Sequence, residues 1–147
     1  MRGKTKIVLI AAAFTGLLAC SKGGTITDDG SGNGGGHVNS PADTIPPELT
    51  INSPANDQVF ANDSSISVTG RISDNNGLYR GHIRITNDAN GDVIKFQAYE
   101  IHGITAYNFN ISHTVNVSVI SNYTVTFWFE DHGYNSVTKS VKIKVNP

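Results

Sequence analysis

From position 48 to the end of the chain, apolar and polar residues alternate with a period of two, in short runs broken by clusters of Asn, Asp, Gly, Ser and Pro. That period places successive side chains on opposite faces of a strand, so each run reads as a strand with one face for a core and one for water. The runs predict strands over 49–53, 65–73, 79–86, 93–101, 106–115, 123–130 and 137–145, and no window favours a helix. In the second run Ile66, Val68, Gly70 and Ile72 share the core face, and in the sixth Tyr123, Val125, Phe127 and Phe129 do, which turns Trp128 the other way. About seven short strands in a hundred residues, each with one apolar face, suit two packed sheets with Greek-key connections, an all-β sandwich, better than an up-and-down barrel.

The pattern before position 48 is of two other kinds. Residues 7–19 are almost wholly apolar and follow Arg2, Lys4 and Lys6. A run of 13 residues is short of the roughly 20 needed to span the hydrocarbon core and has the form of a secretory signal. Residues 20–47 carry almost no apolar side chains and include the run Gly30-Ser-Gly-Asn-Gly-Gly-Gly36, which cannot build a core and reads as a flexible linker. As a coil, residues 21–47 would span roughly 29 Å. The domain plan expected is therefore a signal over 1–19, a linker over 20–47 and a β-sandwich over 48–147.

The signal ends in Leu17-Leu18-Ala19-Cys20, which resembles the lipobox of bacterial lipoproteins. The resemblance implies that the chain is cut before Cys20 and that Cys20 is acylated on its sulfur and its new amine, a membrane-lipid anchor. Cys20 is the only cysteine, so the mature domain has neither a disulfide nor a cysteine zinc site available. Losing residues 1–19 leaves eight basic against twelve acidic side chains, a charge of −4 that argues against nucleic acid as a partner.

The segments "PPELTINSPANDQVF", "ISVTGRISDNNGLYRGHIRI" and "YTVTFWFEDHGYNSVTKSVKIKV" resemble the immunoglobulin-like modules of bacterial secreted proteins. Together with the lipobox and tether, the chain is similar to a family of Bacteroidota lipoproteins with one such domain. The resemblance implies a cell-envelope location, at the outer membrane, on a face that the sequence leaves open. One departure stands out: after Asp131 the Gly-Asn expected of the module becomes Gly133-Tyr134-Asn135, one residue longer. Asp43-Thr44-Ile45 also resembles an O-glycosylation acceptor of Bacteroidota, over three residues only.

Candidate chemistry is sparse. Ser136-Val-Thr-Lys139 matches S-x-x-K, but on a strand those two side chains point to opposite faces, and Glu130, Asp131 and His132 are sequence neighbours without a nucleophile elbow. No enzyme and no cofactor are expected. For a metal, calcium is the candidate. Asp88, Asn90 and Asp92 have the spacing of half a calcium loop, yet Val93 stands where glycine is needed, and Asn90-Gly91 is a strong hairpin signal, so a plain turn explains the stretch better. Asp43, Asp74 and Asp131 could supply oxygens across loops if the topology gathers them. The histidines lack helical zinc spacing, and Arg80, His82 and Arg84 alternate as a basic stripe. Trp128, joined by Tyr79 and Tyr99, is the candidate ligand platform, against the alternative that Trp128 packs under a neighbouring strand or the linker. The reading is a lipid-anchored, non-catalytic binding module whose partner is a glycan or another envelope protein. The alternatives are a carbohydrate-binding accessory lipoprotein of a glycan-uptake system and a calcium-stabilised structural or adhesion domain.

Overall fold

The structure, a computed structural model, describes residues 40–147. The signal segment, Cys20 and the glycine run lie outside the described residues. Eight strands follow in order: β1 (Glu48–Ser53), β2 (Gln58–Ala61), β3 (Ser65–Ser73), β4 (Leu78–Asn87), β5 (Val93–Glu100), β6 (Ala106–Thr114), β7 (Ser121–Asp131) and β8 (Ser136–Asn146). They form a three-stranded sheet, β1-β3-β6, and a five-stranded sheet, β2-β8-β7-β4-β5. Neighbours pair antiparallel except β2 with β8, which are parallel. Successive strands cross between the two sheets, β3 to β4 and β5 to β6 to β7, which is the connectivity of an immunoglobulin-like Greek-key sandwich.

The alternation anticipated from the sequence is what closes the sandwich. β7 is central in its sheet, flanked by β8 and β4, so its inward residues Tyr123, Val125, Phe127 and Phe129 are buried while Thr124, Thr126 and Trp128 between them are only partly so. Phe109 of β6 crosses from the other sheet to meet Phe127 at 5.7 Å and Phe129 at 5.8 Å between ring centroids. Each such ring stabilises the fold by about 1.5–3 kcal/mol through burial, so this three-ring contact is a principal tie between the sheets. Gly81 of β4 lies opposite Phe129, and a Cβ there would overlap the Phe129 ring, so the absence of a side chain is what lets that ring lie flat on the sheet.

One strand escaped the sequence pattern. β2 is only four residues long, too short to show a period, and it is held by its parallel backbone ladder to β8, Gln58↔Ile143 through Ala61↔Asn146. The longer turn after Asp131 also has a defined shape. Tyr134 adopts a left-handed conformation, φ 64°, uncommon for a residue with a bulky side chain. The Asn135 N–H donates to Asp131 Oδ1 at 2.8 Å and closes the turn beneath it.

The end of the segment read as linker is packed onto the domain. Asp43 and Pro47 are buried, the Ser40 N–H donates to the His132 carbonyl at 2.9 Å, and the Asn135 side-chain amide donates to the Asp43 carbonyl at 3.1 Å. Gly133 permits this approach, because a Cβ there would stand 2.7 Å from the Asp43 carbonyl oxygen.

Candidate functional site

The outer face of the five-stranded sheet carries a row of rings. Residues on this face come from alternate positions of four strands, and the register sets His82 of β4 opposite Trp128 of β7 and Trp128 opposite Thr138 of β8. Phe96 of β5 is paired with Arg84 and so stands diagonally beside His82, within the reach of cross-strand aromatic contacts. The result is a stack of three rings in two steps: Phe96 to His82 at 5.3 Å and 29° between planes, then His82 to Trp128 at 5.3 Å and 27°. His82, Arg84, Thr126, Trp128 and Thr138 line a shallow groove of about 350 Å³ along this row. Phe96 is 57% exposed, an apolar ring that the folded domain itself leaves to solvent.

Charge borders the row without entering it. The Arg80 guanidinium lies over Trp128 at 5.7 Å and over Tyr79 at 4.9 Å, and it is held there by Glu130 at 3.3 Å. Burial, and then the charge of Arg84, holds the His82 imidazole below its ordinary pKa of 6.5. At neutral pH the middle ring is therefore uncharged, and the stripe of Arg80, His82 and Arg84 is two cations flanking an aromatic strip.

The tyrosines expected beside Trp128 are placed otherwise. Tyr99 is turned into the core, 9% exposed, against Phe129 and Tyr107, and burial, with a smaller contribution from Tyr107, pushes its hydroxyl up to about 12. It stands opposite Gly81, whose missing side chain leaves room on the inner face, so it faces away from Trp128. Tyr79 packs against His102 and His132, and the Arg80 guanidinium lies over both its ring and that of Trp128. The row continues from Trp128 through His82, a member of the basic stripe, to Phe96, which the sequence leaves unmarked. For His82 the signal is parity with Arg80 and Arg84; Phe96 alternates with apolar Ile94 and Ala98 and so carries no outward signal of that kind.

The acidic candidates divide between the two ends of β7. Near its start, Asp88 accepts from the Thr124 hydroxyl at 2.5 Å and from Lys142 at 2.9 Å, and the Thr124 bond, then Lys142, holds its carboxyl below the ordinary range. Asp92 is bound to Asn90 by two hydrogen bonds within the β4–β5 turn, so the Asp88–Asp92 stretch is a hairpin turn. Near the other end of β7, Asp43, Asp74 and Asp131 come together, each with a carboxylate oxygen within 4.8 Å of the others. Asp43 comes from the segment before β1, Asp74 from the β3–β4 turn and Asp131 from the last position of β7. The S-x-x-K residues lie on β8, where the Lys139 ammonium donates to the Leu49 carbonyl at 2.6 Å.

No protein-family model matches the chain, and no curated protein matches it in sequence. Among solved structures it is similar to the fibronectin(III)-like modules of Clostridium thermocellum CbhA, at 20% identity and TM-score 0.41, over 69% of this chain and 47% of that one. It is similar also to the sporulation control protein Spo0M of Bacillus subtilis, at 10% identity and TM-score 0.43, over 69% and 49%. A third likeness, at 15% identity and TM-score 0.39 over 69% and 96%, is to the CARDB domain of a Pyrococcus furiosus protein solved in complex with di-metal ions. The chain spans about half the length of the first two. The immunoglobulin-like assignment itself rests on the strand order and register of this domain.

Proposed function

We propose that the chain is a lipid-anchored protein of the cell envelope, held to the outer membrane through acylated Cys20, whose immunoglobulin-like domain is a non-catalytic module that binds a glycan on the face of β5, β4, β7 and β8. The observation that carries the glycan reading is the stack of Phe96, His82 and Trp128 on a solvent-facing sheet. A sugar ring has an apolar face of C–H bonds and an equatorial rim of hydroxyls. Flat aromatic faces match the first, and the flanking Arg80 and Arg84 offer donors to the second or to a sugar carboxylate. Two steps of 5.3 Å suit a short run of sugar residues better than a single one. The shallowness of the groove is in keeping with a chain lying across the face, and a buried small molecule would want a deeper pocket. The non-catalytic part of the reading is supported by Lys139, the one lysine placed to serve a serine by motif, being engaged instead by the Leu49 carbonyl.

The test is binding of the full chain to an array of neutral and acidic glycans. Binding should appear and fall about tenfold or more in Trp128→Ala and in Phe96→Ala, the scale expected for the central aromatic contacts of an interface. Glycan binding unchanged in both variants would remove the platform. The anchor is tested separately: Cys20→Ala should move the protein from the membrane to the soluble fraction.

A further inference from the structure

We propose that Asp43, Asp74 and Asp131 form a calcium site that fastens the segment before β1 to the end of the sandwich. Ligands on opposite sides of a calcium ion, each at about 2.3–2.6 Å, stand roughly 4.6–5.2 Å apart. Three carboxylate oxygens within 4.8 Å of one another therefore lie inside the span that a single ion bridges.

Burial favours a cation at this site. Asp43 and Asp74 are each 9% exposed and Asp131 is fully buried, so three like charges are gathered with little water to screen them. Each carboxylate is oriented by hydrogen bonds that use only part of its capacity. Asp43 Oδ1 accepts from the Ile45 N–H at 3.1 Å, and Asp74 Oδ2 accepts from the Asn76 and Gly77 N–H groups at 2.8 Å each. Asp131 accepts from Asn135 on both oxygens, at 2.8 and 3.0 Å. The remaining oxygens, Asp43 Oδ2 and Asp74 Oδ1, are buried and meet no donor. A native domain seldom leaves two buried carboxylate oxygens without a partner, and one bound cation would receive both.

The donor set selects the ion. All three ligands are hard carboxylate oxygens, which suits calcium or magnesium rather than zinc or copper. They come from three separate segments with no imposed octahedral frame, and the looser geometry and larger radius of calcium fit such a set better than magnesium does. The consequence is mechanical: calcium would bind Asp43, the last stretch of the stalk, to the two turns at that end of the domain.

Melting of the full chain in calcium and in EDTA tests this. With calcium well above its dissociation constant the melting temperature should rise by roughly 10 °C, and the amides of residues 40–47 should gain protection from hydrogen exchange. Asp43→Asn keeps an oxygen for the Ile45 N–H and removes a charge, so it should melt in EDTA no lower than the native chain and lose the calcium response. Identical melting in calcium and EDTA overturns the proposal, as does a full calcium response in Asp43→Asn. A response to magnesium equal to that for calcium overturns the choice of ion.

Discussion

The side-chain amide of Asn135 donates to the carbonyl of Asp43, 92 positions earlier in the chain, at 3.1 Å. The same nitrogen donates to Asp131 Oδ2 at 3.0 Å, so one group joins the last strand-to-strand turn to the segment leading into β1. Asn135→Ala leaves a fully buried carboxylate oxygen without its donor, and stability should fall by about 1–3 kcal/mol. Urea unfolding measures it. A change of only a few tenths would mean that this amide ties nothing down.

Gly81→Ala should be costly for a different reason. The added Cβ would fall within the ring of Phe129, which is fully buried against Phe109 and Tyr99 and cannot swing to water. Overpacking of this kind costs typically 1–3 kcal/mol, so a drop of about that size in urea is expected, whereas alanine at exposed Gly91, where a Cβ would meet nothing within 4 Å, should cost only the strain of its φ of 78°.

Tyr99→Phe should leave the domain equally stable or raise it by up to about 1 kcal/mol. The Tyr99 hydroxyl is buried without a hydrogen-bond partner, and removing an unmet polar group of the same shape relieves its desolvation. In the native protein one tyrosine should ionise late, at about 12, in an ultraviolet titration, and the variant should lack that step.

Acid should weaken the domain through His82. The unfolded chain takes up this proton near 6.5 and the folded chain only at lower pH, because burial and Arg84 disfavour the cation. Above 6.5 the contribution is fully present, and it is lost as the pH falls through the lowered folded value. Melting temperatures taken from pH 7.5 down to 5 should decline less steeply in His82→Gln than in the native chain.

Much of this architecture was legible in the residues because the core face of a half-buried strand repeats every second position. β3 was delimited to the residue, and β7 showed both its buried set and the outward Trp128. The inward turn of Tyr99 is not legible from a period of two, for a reason visible in β5. The pairing with β4 slips between Ile85 and Thr86, where the partners pass from Lys95 to Val93, so Ile94 and Tyr99, at positions of opposite parity, both lean on the core. A bulge of that kind reverses the phase of alternation, and no pattern of two can announce it. The convergence of Asp43, Asp74 and Asp131 was legible as a condition on topology. It became geometry only when the turn after β7 was folded back by Tyr134 and the 40–47 segment was laid across Gly133.

The parallel pairing of β2 with β8 has a bearing on load. β2 is reached from the N-terminal side through the 40–47 segment and β1, whereas β8 runs in the same direction toward its last paired residue, Asn146. Tension drawing those two points apart pulls the strands lengthwise past each other, so the four paired positions from Gln58 to Ala61 resist in shear, together, and do not peel open one after another. If the domain is held through Cys20 as proposed, its shortest described strand is then a tensile latch.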